Sequence, residues 1–252
     1  MNLSFVSRFS VFAAVAVLGG AAPAGAAGAA DQPLKTLRAL VYHVIYDFQS
    51  TYTQATSGMN GGGGASSGGS GTQRQDAIDK NEGTLKLNVV AATQDGGLVI
   101  DSSFDGDKQS WSTVRIALYP DGRISYDATK QVGPEGARVI PFLARGLLAE
   151  GEITPGKTWT APPPKPETGT VTFRVDDVTD PLVKMHVTSD VHLTGVSAMD
   201  ETTDTALVYD AKRLCPTSVD LRATDRRTME MNGNETRKIH IFATQTSDTF
   251  GT

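Results

Sequence analysis

Apolar side chains recur at every second position along most of the chain beyond residue 40. From Leu40 to Phe48, Tyr42, Val44, Tyr46 and Phe48 share one side, while His43 and Asp47 fall on the other. A period of two in aromatic and β-branched residues predicts a half-buried strand, here running to about Thr53. The alternation returns in Leu85, Leu87 and Val89, then in Val114, Ile116 and Leu118, and in Ile124 with Tyr126. It continues through Val171, Phe173 and Val175, and through Val183, Met185, Val187, Val191 and Leu193. The stretches 205–210, 217–224, 227–231 and 236–250 complete the set. Asp95-Gly96-Gly97, Pro120-Asp121-Gly122, Asp180-Pro181 and Asn232-Gly233-Asn234 supply the turns.

Too little chain separates these strands for crossover helices, so the connections are antiparallel hairpins. One segment breaks the rhythm. Between Pro134 and Glu150, Val139, Phe142, Leu143 and Leu147 follow helical spacing. Pro141 belongs at a first turn, which predicts one short apolar helix over 141–149, packed on the sheet. The expected fold is mainly β: a curved antiparallel sheet or incomplete barrel of about ten to twelve strands with that helix against it.

Two segments lie outside this pattern. Residues 57–72 contain eight Gly in sixteen positions and one sizeable apolar side chain, Met59. Such a tract gains too little burial to offset its ordering entropy, and reads as a flexible loop at a hairpin tip. At the N-terminus, Arg8 precedes the apolar run Val11–Leu18 and then a Gly/Ala-rich stretch. That order predicts a secretory signal peptide over 1–26, best cut after Ala24-Gly25-Ala26, with Ala22-Pro23-Ala24 and Ala27-Gly28-Ala29 as alternative sites. Residues 27–252 then form a single β-rich domain, exported to the periplasm or the medium. No later run is long and apolar enough for a spanning helix, so no transmembrane segment is expected after cleavage.

Composition narrows the function. The net charge of −5 gives no basic footprint for nucleic acid. One cysteine, Cys215, precludes an intrachain disulfide framework and Cys-rich metal sites. It reads as a small buried hydrophobe.

Several motifs fit catalytic patterns by letter and fail by context. Gly151 to Thr158 matches the phosphate-loop pattern, but that loop needs a helix after it. Here Trp159-Thr160-Ala161 and three prolines follow, so Thr154-Pro155-Gly156 reads as a turn into a strand, and no nucleotide is expected. Gly64-Ala65-Ser66-Ser67-Gly68 matches the nucleophile elbow within the Gly/Ser tract, where chance explains it. Asp101, Ser103 and Asp105 before Gly106 resemble the start of a calcium loop, but the twelfth position is Ser112 and no helices flank it. His43, His186, His192 and His240 all point away from the apolar faces, as solvated strand residues. The sequence assigns no catalytic residue, metal site or cofactor.

The layout of leader, consecutive antiparallel strands and one short apolar helix resembles the exported half-barrels of bacterial lipoprotein-carrier proteins of the LolA/LolB type. Ile153 to Trp159 (ITPGKTW) and Leu207 to Asp210 (LVYD) resemble phrases of exported proteins of unknown function. The resemblance implies an apolar groove between sheet and helix, and assigns no functional residue. The expected function is noncatalytic binding of a lipid or other apolar or amphiphilic ligand, or of an envelope protein, with Tyr42, Val44, Leu143, Leu147 and Trp159 as candidate lining. The alternatives are a metal-dependent hydrolase built on the His and Asp residues, and a structural or assembly protein without a pocket.

Overall fold

The computed structural model describes residues 36–56, 71–127, 129–130, 132–144, 153–163, 167–194, 198–229 and 233–251. The expected leader, most of the Gly/Ser tract, and Leu147 lie outside them. Among the described residues, eleven strands form one antiparallel sheet: β1 (Arg38–Thr56), β2 (Gly71–Ala92), β3 (Leu98–Gly106), β4 (Trp111–Leu118), β5 (Ile124–Tyr126), β6 (Thr158–Ala161), β7 (Thr168–Thr179), β8 (Leu182–Leu193), β9 (Met199–Asp210), β10 (Cys215–Met229) and β11 (Gly233–Phe250). The spatial order is β5-β4-β3-β2-β1-β11-β10-β9-β8-β7-β6. Two hairpin meanders therefore meet where the first strand pairs with the last. The sheet stays open, with β5 and β6 as its edges.

The alternation read from the sequence decides which face is buried. Val175, Met185, Leu207, Val219, Ala243 and Val44 are cross-strand neighbours in one row over six strands, and all are buried. The row ends on β2 at Gly83, where the β3 backbone at Asp105 and Gly106, with the Phe104 ring beside it, leaves no room for a side chain; an added Cβ would meet Gly106 Cα at 2.6 Å and Phe104 Cζ at 2.8 Å. Burying six aliphatic side chains of this kind is worth about 1.5–3 kcal/mol for each of the larger ones.

Several boundaries differ from the expectation. The helical segment begins earlier: α1 spans Pro134–Val139 and a 3-10 turn follows over Ile140–Leu143. Pro134 stands at the first turn of α1 and Pro141 at the first turn of the 3-10 stretch, each where its absent N–H is not needed. Strand β2 starts at Gly71, because residues 71–82 pair with β1 although both their faces are polar. The stretches 217–224 and 227–231 merge into β10, which runs unbroken through Asp225 and Arg226 to Met229.

The chain between β5 and β6 has to pass from one sheet edge to the other, and α1 lies on that path across the inner face. It contacts β3 and β11, and the 3-10 turn contacts β10. Val139, Ile140, Phe142 and Leu143 are buried there in the same core cluster as the sheet's inner face.

Candidate functional site

Three of the five candidate lining residues are buried together. Tyr42 and Val44 on β1 belong to the core cluster, and so does Leu143 at the end of the 3-10 turn. Tyr42 is not purely apolar: its hydroxyl donates to the Pro216 carbonyl at 2.9 Å. Trp159 on edge strand β6 is half-buried and stacks on Phe173, with ring centroids 5.2 Å apart and planes 6° off parallel. It therefore lies at the rim, and Leu147 lies outside the described residues.

The inner face does not remain apolar to its end. Six residues beyond the aliphatic row, about 20 Å along the strands, the same parity presents charge. Glu201, Asp225 and Arg237 form a cross-strand row on β9, β10 and β11. Two positions further on, Arg227 stands opposite Glu235. Arg227 approaches Asp225 at 3.5 Å, and Arg237 approaches Glu235 at 2.8 Å. Sequence reasoning missed this cluster because it searched for apolar positions. The signal was parity, since each of these residues sits an even number of positions from a buried aliphatic on its own strand.

Arg138 of α1 reaches down to this cluster. One guanidinium nitrogen donates to Glu201 Oε1 at 2.7 Å, and the other bonds Glu201 Oε2 and lies 3.6 Å from Asp225. Burial disfavours the charge on each partner. For Arg138 the facing Glu201 and Asp225 carboxylates outweigh it and raise its pKa. For Glu201 the Arg138 guanidinium outweighs it and holds the pKa below the ordinary carboxylate value. Asp225 is 1 % exposed. Burial, with the Glu201 charge beside it, pushes its pKa up to about 6 against the pull of Arg138.

The other end of α1 is anchored differently. Glu135 is 3 % exposed and accepts a hydrogen bond from Asn81 Nδ2 at 3.0 Å, with the Trp111 indole facing it. Burial raises its pKa, only partly offset by those donors. Asn81 is itself tied to the turn after β3: it donates to the Gln109 carbonyl and accepts from the Lys108 and Gln109 N–H groups. So a six-residue helix sends an acidic side chain to the β2–β4 half of the sheet and a basic one to the β9–β10 half.

The histidines lie on the outer face, each beside a carboxylate. His43 pairs with Glu82, His186 with Asp204, His192 with Asp190 and Asp200, and His240 with Asp220 and Asp47. No group of three or more His, Cys, Asp or Glu side chains among the described residues is arranged to hold a metal ion. The calcium-like stretch lies in β3, where Asp101 is engaged by Arg115 at 2.7 Å. Thr154-Pro155-Gly156 is a turn, with Gly156 at φ +83°, and β6 follows it. Cys215 is buried and accepts a hydrogen bond from Arg38 at 3.0 Å. No helix among the described residues is long and apolar enough to cross a membrane.

No protein-family model matches the chain, and no curated protein does. Among solved structures, one described as "Lipid-protein interactions in lipovitellin" is similar at a TM-score of 0.47 and 12 % identity. The match covers 87 % of this chain, which spans only about a quarter (26 %) of the lipovitellin chain.

Proposed function

We propose that this protein is an exported, noncatalytic binder of a hydrophobic or amphiphilic ligand, carried on the inner face of its open sheet. The observation that supports this reading is the sheet's inner surface itself. It is an aliphatic floor on six strands of an unclosed sheet, covered by one ten-residue helical segment and bordered by charged side chains on the same face. An acyl chain or similar group would lie against Val44, Tyr42 and Leu143, with Trp159 at the rim. The polar end of an amphiphile would face the charged border. This is the arrangement expected of the lipoprotein-carrier type of half-barrel, and it needs no metal or cofactor.

The test is to express the full chain with its own leader, collect the exported protein, and analyse its organic extract by mass spectrometry. The expected result is a mature N-terminus at Ala27 and copurified lipid near one equivalent. Extracted protein should also bind the neutral fluorophore N-phenyl-1-naphthylamine, and Val44→Trp should weaken that binding by filling the floor. Folded protein that neither copurifies with lipid nor binds the fluorophore would overturn the reading.

A further inference from the structure

Tyr42, Val44 and Leu143 are already covered in this structure, so a ligand can reach them only if something moves. We infer that the segment carrying α1 is a hinged strap, fixed at its Gly133–Gly136 end and released at its Arg138 end, and that its release opens the inner face to the ligand. This rests on the ligand-binding reading above.

The two ends differ in kind. At the fixed end, Gly133 and Gly136 let the backbone lie directly on the Trp111 indole. A Cβ added at Gly133 would come within 2.6 Å of Trp111 Nε1, and one at Gly136 within 2.9 Å of Trp111 Cζ2. Glu135 is held by Asn81, and Asn81 by the turn after β3. Separating this end would break the close packing on Trp111 and the Asn81-centred hydrogen bonds to Glu135 and the turn together.

At the other end the polar hold is one arginine on two carboxylates, with Asp225 buried and Arg138 and Glu201 only partly withdrawn from water. Release returns water to all three, which offsets much of the Coulombic loss. Val139, Ile140, Phe142 and Leu143 oppose release through their apolar contacts. A bound apolar ligand replaces those contacts, so release and binding favour each other.

Hydrogen exchange on the full mature chain, read by mass spectrometry, tests the strap directly. Arg138→Gln should speed exchange across residues 138–143 by about tenfold or more, with the amides of β1 and β11 unchanged. Arg138→Lys, which keeps the charge and loses the fork, should fall between. Should Arg138→Gln fail to fold, Glu201→Gln removes the same ion pair from the sheet side. Stopped-flow binding of N-phenyl-1-naphthylamine should accelerate in step with strap exchange. Unchanged exchange at 138–143, or equal acceleration in every strand, would overturn the strap. Faster strap exchange with no fluorophore bound by any of the proteins would uphold the strap and remove the ligand reading instead.

Discussion

Glu201 and Asp225 stand directly opposite each other across β9 and β10, two carboxylates in one cross-strand pair on the inner face. Like charges at such positions repel. Arg138 offsets part of that repulsion, since it forks onto Glu201 and approaches Asp225 only at 3.6 Å. The result is unequal: Glu201 holds its charge firmly, and Asp225 titrates at about 6. The proton that binds at Asp225 relieves the pair.

This inequality sets a pH dependence. A carboxyl whose pKa is raised by folding gives stability that is fully present below the unfolded value near 4 and is lost as pH rises through about 6. Glu135, also raised, acts in the same direction. Asp225→Asn should therefore gain stability relative to the natural protein at pH 8, by about 1–2 kcal/mol, and show a flatter profile from pH 5 to pH 8. Urea unfolding at the two pH values measures this. A variant equally weakened at both would mean that the Arg138 contact outweighs the carboxylate repulsion.

Two buried tyrosines provide a matched comparison. Tyr42 donates to the Pro216 carbonyl, whereas the Tyr209 hydroxyl is buried without a hydrogen-bond partner among the described residues. Tyr42→Phe removes this buried hydrogen bond and should cost about 1–2 kcal/mol. Tyr209→Phe removes only an unmatched hydroxyl, and should lie within about 0.5 kcal/mol of the natural protein or above it. Equal losses in chemical denaturation would show that the Pro216 bond contributes nothing specific.

The apolar floor was legible because burial and strand period coincide there: Tyr42, Val44, Met185 and Val187 announce one face by alternation alone. Residues 71–82 were not legible, because Thr72-Gln73-Arg74-Gln75-Asp76 is polar on both faces and is a strand only through its pairing with β1. The charged border was hidden for a related reason. Asp225 read as an interruption between two strands, since a buried carboxylate has no hydrophobic signature and depends on Arg138, eighty-seven positions earlier in the chain. The helix start at Pro134 was hidden behind the apolar spacing of Val139, Phe142, Leu143 and Leu147, while residues 145–149 of the expected helix lie outside the described residues. Pro134 followed by Glu135 is a proline at the first turn with an acid beside it, which marks a helix N-terminus.

Trp159 tests how firmly the β6 edge is held. This strand has four residues and one neighbour, β7, so the indole stacked on Phe173 is a major part of its packing. Its partial burial places the expected cost of Trp159→Ala below that of a core tryptophan, at about 2–3 kcal/mol. Trp159→Phe should recover most of it, because a flat ring can still stack. Thermal unfolding distinguishes these outcomes, with an unchanged midpoint in the alanine variant assigning the indole to the surface.

Gly136 sets two effects of opposite sign against each other. It sits inside α1, where alanine is favoured over glycine by about 1 kcal/mol through backbone entropy. A side chain there would meet Trp111 Cζ2 and Val132 Cγ1, both at 2.9 Å. Neither neighbour is free to retreat: Val132 is buried, and Trp111 stacks on Phe104. Overpacking of this kind costs about 1–3 kcal/mol, so the steric effect should win and Gly136→Ala should destabilise. Gly156 offers a contrast without crowding. A Cβ there meets nothing within 4 Å, and only its φ of +83° penalises alanine. Gly156→Ala should cost about 1 kcal/mol through backbone strain alone. Replacing Trp111 with Phe should then rescue Gly136→Ala in part and leave Gly156→Ala untouched. A stabilised Gly136→Ala in urea unfolding would show that α1 can lift from Trp111 at little cost, and would move the fixed point of the segment away from Gly133.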